Sequence, residues 1–402
     1  MRDPESVPAL MAVSRSFGRA AARRKKALLR GIAGRKRLSA RELVVLGECL
    51  CFMRAYPDDP ELLRLVEGLI AELRDRVRAL GGAASLANTG LPGSTNSHEY
   101  SFPVLERMTA ILPGSLEIDW EELEETAMLQ LASALLVSPG EWQGLDDISL
   151  SMPDWVRRSR GKRHATDLEY LLSLFQGSEL GLDARAFVFD SCELPVRYEL
   201  AREGTGTTEI LGPRRHVHYQ KAEISRERLP LAREIRRPFR RIHTQSPGSG
   251  QALIDLALRA LCARKLEIRI LMYASAEDVT LLDCGRGMQV AFIGVIPEYR
   301  DVLECSYCFL ILKNGVPIAY GPSSVCFGCC EMGINLFPEF RGGEIRFIYP
   351  QFMRAIHHAL GARYFFLTSY GMGEGNPEAI RSGAFWFYRK LGFRATNLDV
   401  EA

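Results

Sequence analysis

The sequence predicts an α+β protein, in which a mainly helical N-terminal region precedes a mixed β-sheet flanked by helices. In the first 180 residues, apolar side chains recur every three or four positions, which is the period of a helix. From about residue 186 the pattern changes to the alternation typical of strands, and after residue 250 short apolar runs alternate with helical segments. A chain of 402 residues also exceeds the usual size of one core, so two or three domains are expected.

Capping signals mark the first helices. Ser39 and Glu42 form a capping-box pattern before an apolar run, and Asp59 followed by Pro60 supplies an N-cap and a proline at the first helical position. Further helices are expected after an acidic start at residues 119–125 and over residues 166–175. We therefore predict that residues 1–185 form a mainly helical region, whose role the sequence leaves open.

A basic stretch separates this region from the second half of the chain. Residues 225–249 are rich in arginine and contain three prolines, which is typical of a connecting segment. Before this stretch, Phe187–Phe189 and then Val196, Tyr198 and Leu200 alternate as strand residues do. We predict a strand-containing connector at residues 186–246 and a second domain at residues 247–402.

The second domain is predicted to contain strands and helices in a defined order. An Asn314-Gly315 pair indicates a tight hairpin between two strands, and Arg341-Gly342-Gly343 forms a glycine-rich turn before an amphipathic helix. The remaining expected elements are a helix at 250–264, a strand at 330–337, a helix at 345–360, a strand at 364–368, a helix at 377–391 and a final strand.

Two segments of this domain, EMGINLFPEFRGGEIRFIYPQF and GNPEAIRSGAFWFYRKLGF, resemble the central part of the GNAT-type N-acyltransferase superfamily. The first contains a strand, an arginine-glycine loop and a helix, and the second ends in the family's YxKLGF signature. The resemblance covers residues 304 to about 398, or about a quarter of the chain. It implies a GNAT-like sheet domain and an acyltransferase in which an amine attacks an activated acyl group directly.

The resemblance also implies catalytic roles. Tyr388 would be the general acid that protonates the leaving group, and Glu331 the base for the incoming amine, with Glu339 as the second candidate. Backbone amides near Leu336 and Phe337 would stabilise the negative charge that develops on the acyl oxygen. This direct transfer involves neither a metal nor a covalent enzyme intermediate.

A cofactor site is implied by the same resemblance. Arg341, Gly342 and Gly343 would hold the pyrophosphate of an acyl-coenzyme A, because a glycine turn at a helix N-terminus presents N–H groups to an anion. Asn376, before the last helix, completes the set of expected cofactor-binding residues.

Three residues depart from the family's pattern. Glu344 places a carboxylate where the pyrophosphate would lie, Arg346 puts a bulky side chain where backbone must approach the ligand, and Pro350 falls inside the next helix unless that helix starts later. These departures suggest another activated acyl donor, such as an acyl carrier protein or an aminoacyl-tRNA, with an amine-bearing acceptor. Between Arg15 and Arg37 the chain has ten Lys or Arg and no acidic residue, so the basic N-terminal half is a candidate docking surface for either donor.

Two other functions stay open. One is a catalytically silent GNAT-like module that binds a partner. The other is a zinc-stapled nucleic-acid-binding protein, because Cys305-x-x-Cys308 and Cys326-x-x-Cys329 have the spacing of a four-cysteine zinc site. Alternation assigns Cys305 and Cys308 to opposite faces of a strand, so the thiols are also explained as small buried side chains, and no metal is expected.

The sequence predicts a soluble, cytoplasmic protein without a membrane partner. No apolar run approaches the ~18 to 20 residues that a membrane helix requires. Ten cysteines in 402 residues are too few for a disulfide scaffold, so reduced thiols are expected.

Overall fold

The computed structural model describes residues 6–81, 84–135, 139–147, 150–214, 216–225, 229–239 and 242–396. In this part of the chain a helical N-terminal region precedes a mixed β-sheet flanked by helices, which confirms the predicted α+β class. The first four helices are α1 (Val7–Val13), α2 (Arg19–Gly34), α3 (Ala40–Ala55) and α4 (Pro60–Arg78).

Helices α3 and α4 begin where the sequence predicts, and with α1 and α2 they enclose a core of their own. The Ser39 hydroxyl accepts a hydrogen bond from the Glu42 N–H, and the Glu42 carboxylate accepts one from the Ser39 N–H, so the capping box is formed. The Asp59 carboxylate accepts from the Leu62 N–H at 2.9 Å and caps α4. The apolar stripes of α2, α3 and α4 meet in a buried cluster that also contains Val7 and Leu91.

A small three-stranded sheet and six helices follow. Its strands are antiparallel in the order β1-β3-β2. These elements are β1 (Thr95–His98), α5 (Phe102–Ile111), β2 (Leu116–Ile118), α6 (Glu125–Leu135), α7 (Pro139–Asp147), α8 (Met152–Arg160), α9 (Asp167–Gln176), α10 (Leu182–Asp190) and β3 (Val196–Glu199).

The prediction of a strand at Phe187–Phe189 was wrong, because these residues belong to α10. Ala186 and Phe189, three positions apart, lie on one helix face, and the Phe189 ring packs 5.2 Å from that of Phe102. Phe187 points outward with 76% of its surface exposed. The predicted strand containing Val196 and Tyr198 is formed as β3.

The second half of the chain forms an eight-stranded sheet in the order β11-β9-β8-β7-β6-β5-β4, with β10 also paired to β8. All neighbouring strands are antiparallel except β9 and β11, which are parallel. The elements are α11 (Leu231–Arg236), β4 (His243–Thr244), α12 (Pro247–Cys262), α13 (Arg269–Met272), β5 (Ala274–Gly285), β6 (Met288–Val295), β7 (Cys305–Lys313), β8 (Val316–Cys326), β9 (Cys329–Glu331), β10 (Asn335–Leu336), α14 (Ile345–Leu360), β11 (Tyr364–Phe366), α15 (Ser369–Met372), α16 (Pro377–Ser382) and α17 (Ala384–Leu391).

Helices α14 and α12 cover opposite faces of this sheet. The Phe352 ring of α14 lies 4.2 Å from Phe309 on β7 and 6.2 Å from Phe292 on β6. Val279 of β5, which lies beside Gly250 of α12, pairs with Ile293 and therefore belongs to the other face.

The β7–β8 hairpin turns at Asn314-Gly315 as predicted, but this turn is buried against the N-terminal helices. The Asn314 amide donates to the carbonyls of Ala55 and His218 at 2.8 and 2.9 Å, and its oxygen accepts from the His218 N–H at 2.8 Å. One continuous apolar cluster runs from Phe17 to Tyr388 through both sheets. The expected boundaries at residues 185 and 246 stay a prediction.

Two elements are interrupted where the sequence predicts continuity. The expected strand at 330–337 is split into β9 and β10, although both parts keep one register with β8, since Cys330 pairs with Val325 and Asn335 with Tyr320. The expected helix at 377–391 is split at Gly383, whose φ of 72° is left-handed. Residues 392–396 form no strand, and the rest of the predicted final strand lies outside the described residues. None of the helices in the described ranges is long and apolar enough to span a bilayer.

Candidate functional site

The strands of the larger sheet separate near the turn before α14. Cys329–Glu331 and Tyr364–Phe366 pair in parallel, and the Met332 N–H donates to the Phe366 carbonyl at 2.8 Å. Beyond this point β10 continues along β8, whereas the chain after β11 enters α15. Among the described strands, β10 pairs with β8 on one side and with no strand on the other, and we call this unpaired side, between β10 and β11, the sheet opening.

One of the predicted amides points into the sheet opening. The Phe337 N–H donates to the Ile318 carbonyl at 3.0 Å, so it is not available to a ligand, and Pro338 has no N–H. Successive residues along a strand direct their N–H groups to opposite sides. Since the Phe337 N–H points toward β8, the Leu336 N–H points away from β8 and into the opening. The Phe337 side chain is fully buried between Tyr320 and Arg264 and cannot contact a ligand.

Tyr388 lies in a buried polar cluster beneath the sheet. Its ring is 5.7 Å from that of Tyr349 on α14, and 8% of the residue is exposed. Burial raises the pKa of both phenols and raises the pKa of the nearby Cys330 thiol to about 12. Tyr388 thus keeps its proton at neutral pH and can act as a proton donor. The Tyr349 hydroxyl is buried, and the Tyr388 hydroxyl is its polar neighbour.

The sequence does not single out Tyr349 as a functional residue. It lies within the apolar stripe of α14, between Ile348 and Phe352, where an aromatic residue is expected simply to fill the core. The one signal in the sequence is its hydroxyl, which requires a partner when an apolar stripe is buried.

Glu331 lies on the other face of the sheet from Tyr388. Cys330 is close enough to Tyr349 to affect its pKa, so Cys330 faces α14. Successive strand residues point to opposite faces, and Glu331 therefore faces away from the two tyrosines. Its carboxylate has no hydrogen-bond partner in the described part of the chain. The second candidate base, Glu339, is instead held by Arg264 at 3.1 Å.

The glycine turn is fastened to the N-terminal region. Arg15 donates to the carbonyls of Arg341 and Glu339. The Arg341 guanidinium binds Glu378 at 2.7 Å, and the Gly343 N–H bonds within the turn to the Phe340 carbonyl at 3.1 Å. The predicted anion cradle therefore already has protein partners for most of its polar groups.

A buried carboxylate lies at the N-terminus of α14. Glu344, only 3% exposed, binds Lys313 at 2.7 Å and Arg286 at 3.2 Å. Burial lowers the pKa of Lys313, and the adjacent Glu344 opposes that effect. A pyrophosphate at this helix end would lie beside the Glu344 N-cap and would have to displace the protein partners of the glycine turn, so these residues do not fit a coenzyme A bound through the family's loop. Helix α14 starts at Ile345 and contains Pro350, so the turn is not lengthened.

Asn376 caps a helix. Its side-chain oxygen accepts from the Ala379 N–H at 3.0 Å, at the start of α16, and its amide donates to the Tyr370 carbonyl at 3.3 Å. Both polar ends of the side chain are therefore used within the loop between α15 and α16.

Much of the basic run near the N-terminus binds acidic residues of the same region. Lys25 is buried with Asp58 at 2.7 Å, and Lys26 binds both Asp59 and Glu61. Arg30 binds Glu61 and Arg35 binds Glu42. These contacts reduce the positive charge that α2 presents to an outside partner.

The four cysteines of the zinc pattern do not converge. Cys326 and Cys329 are cross-strand neighbours, but Cys308 pairs with Pro322, four positions along β8 from Cys326. At ~3.3 Å per residue that offset is about 13 Å, too far for one zinc ion. Within the described ranges no group of three or more His, Cys, Asp or Glu could hold a metal ion.

Comparisons of the chain with protein-family models, with curated proteins and with solved structures found no match.

Proposed function

We propose that this protein is a GNAT-like acyltransferase that moves an acyl or aminoacyl group from an activated donor to an amine. The observation that carries the proposal is the sheet opening between β10 and β11, into which the Leu336 N–H points. Tyr388, a buried phenol that keeps its proton, lies 5.7 Å from the ring of Tyr349, which is a neighbour of Cys330 on β9. An amide donor and a proton donor are the two groups that acyl transfer requires.

In the proposed reaction the amine nitrogen attacks the acyl carbon, and the carbonyl electron pair moves onto oxygen, where the Leu336 N–H stabilises it. Collapse of the intermediate breaks the bond to the donor's leaving atom, which takes the proton of Tyr388. Glu331 accepts the proton that the amine loses. Because Glu331 and Tyr388 lie on opposite faces of the sheet, the reacting groups would have to meet across the opening. Return of a proton from Glu331 to Tyr388 through water restores the enzyme.

The proposed acyl donor is not acyl-coenzyme A. Glu344 disfavours a pyrophosphate at the start of α14, so we favour a donor that does not rely on this loop, such as an acyl carrier protein thioester or an aminoacyl-tRNA ester. The basic N-terminal half is the proposed docking surface, and the acceptor is an amine. We place the reaction in the cytoplasm, where the ten cysteines, all unpaired in the structure, would stay reduced.

The test is transfer from each donor class to a mixture of amines, read by mass spectrometry. A Tyr388→Phe variant should lose about 10²- to 10⁴-fold in turnover, because the leaving group is no longer protonated, while circular dichroism shows an unchanged fold. Tyr370→Phe is the matched control, since Tyr370 is 62% exposed on the neighbouring α15. Equal turnover of Tyr388→Phe and the wild type would refute the role of Tyr388.

A catalytically silent binding module is the second candidate. It is favoured by the fastening of the glycine turn, which Arg15 and Glu378 hold in place of a ligand. In that case no donor would be consumed, and Tyr388→Phe would leave partner binding unchanged.

A further inference from the structure

A second cavity lies beside the edge strand of the larger sheet, apart from the sheet opening. It is a groove of about 1150 Å³ between β11, the end of α14, α17 and α11. Its wall is mainly apolar and includes Met353, Phe365, Leu367, Met372 and Phe393. A volume of this size is typical of sites that take a drug-sized or larger ligand.

The rim of the groove is positively charged. Arg236, Arg363 and Arg394 line it, against one acidic residue, Glu374. None of these three arginines forms an ion pair with a described carboxylate, and Arg394 donates only to the backbone carbonyls of Arg389 and Phe393. All three arginines are exposed, so the head group of a ligand in the groove can reach them. The groove therefore combines an apolar wall with cations that an anion could partner.

We propose that this groove binds a fatty acyl chain that carries an anionic head group. The chain would lie along the apolar wall, and the head group would face the arginines of the rim. Burial of apolar surface supplies the affinity, and a guanidinium pairs well with a carboxylate or phosphate. The site is separate from the proposed catalytic centre, although Phe393 lines the groove and its ring is 5.7 Å from that of Tyr388.

The experiment is calorimetric titration of the full-length protein with decanoate, dodecanoate and tetradecanoate below their micelle concentrations. The dissociation constant should fall about tenfold for each two added CH₂ groups, as expected from chain burial. Dodecyl phosphate should bind as well as dodecanoate if any anionic head suffices, or better if the rim prefers a dianion. Dodecyltrimethylammonium should bind at least tenfold more weakly. A dissociation constant independent of chain length, or equal affinity for the cationic amphiphile, would overturn the proposal.

Two variants localise the binding. Arg363→Glu reverses charge at the rim and should weaken dodecanoate at least tenfold, whereas Arg381→Glu, an exposed arginine on α16 outside the groove, should not change it. Leu367→Trp should narrow the groove and weaken tetradecanoate more than decanoate. Equal binding by Arg363→Glu and Arg381→Glu would place the ligand elsewhere. No transfer is measured, so this result is independent of whether the protein is an acyltransferase.

Discussion

In the part of the chain that the structure describes, two lysines are buried, and each contacts a carboxylate. Lys25 binds Asp58, and Lys313 binds Glu344, both at 2.7 Å. The cost of removing such charges from water is large, so each partner depends on the other. The sequence shows that Glu344 lies at the start of a helix. It does not show the partner of Glu344, because Lys313 lies 31 positions earlier, at the end of strand β7.

Replacing Glu344 by Gln should therefore destabilise the fold strongly. The change leaves the Lys313 ammonium buried without its carboxylate, and we expect a loss of about 3 to 5 kcal/mol in the free energy of unfolding, measured with urea. Glu378→Gln is the control, since its pair with Arg341 is exposed and should contribute about 1 kcal/mol or less. The double change Glu344→Gln with Lys313→Met should regain much of the loss. Similar stability of Glu344→Gln and Glu378→Gln would contradict the dependence of Lys313 on Glu344.

The elements themselves were largely predictable from apolar spacing and caps, as for α3, α4 and the β7–β8 hairpin. The errors occur where a short apolar run fits both periods. Phe187–Phe189 fits a strand by alternation, but the contacts of Phe189 with rings of α5 and α9 select a helix. The split at Gly383 was also missed, because one glycine within a helical pattern is compatible with a continuous helix.

A glycine-to-alanine change should have opposite effects on stability at Gly383, where the predicted helix is split, and at Gly68, inside α4. Gly383 has a φ of 72°, so Gly383→Ala forces a side chain into the left-handed region and should cost about 1 to 2 kcal/mol. Gly68 lies exposed inside α4, and a β-carbon added there would meet open space, so Gly68→Ala should stabilise by about 0.5 to 1 kcal/mol. Thermal unfolding of both variants measures whether each change raises or lowers the stability of the protein. A stabilising Gly383→Ala would mean that α16 and α17 form one helix.

The candidate site was predictable as a set of positions but not as a geometry. The sequence placed Tyr388 on the last helix and Leu336 at the strand end. It could not show that Glu331 faces away from Tyr388, because a strand interrupted after Glu331 does not reveal which face each residue takes. Nor could it show that Arg15 fastens the glycine turn, since that contact joins residues more than 300 positions apart.

At the scale of the whole molecule, the N-terminal helices and the larger sheet meet at a buried hairpin. A turn containing Asn-Gly is normally exposed, so its burial against Ala55 and His218 could not be read from the sequence. The amide of Asn314 satisfies three backbone groups there, and His218 lies beside Lys313, Glu344 and Arg286.

This junction should weaken in mild acid. Burial, followed by the charge of Lys313, lowers the pKa of His218 below 6.5, so between pH 6.5 and that lowered value the unfolded chain binds more protons than the folded protein. The free energy of unfolding should therefore fall as the pH is lowered from about 7 through this window. The His218→Gln variant should show a shallower fall in the free energy of unfolding. Burial also lowers the pKa of His98 and of His358, but these two histidines contribute equally to the variant and to the wild type. Identical slopes in urea titrations at several pH values would exclude His218 as the origin.

The contacts of Arg15 bear on the order in which the protein matures during translation. Its partners, the carbonyls of Glu339 and Arg341, are synthesised 324 and 326 residues later. At ribosomal rates this interval lasts tens of seconds. Helices α1 to α4 can close their own core as soon as they emerge, but the aromatic face of Phe52 and Tyr56, which packs against Phe340 and Lys313, stays uncovered until the glycine turn arrives. The nascent chain therefore keeps this apolar surface uncovered for most of its synthesis, and a segment from its last quarter completes the packing of its first quarter.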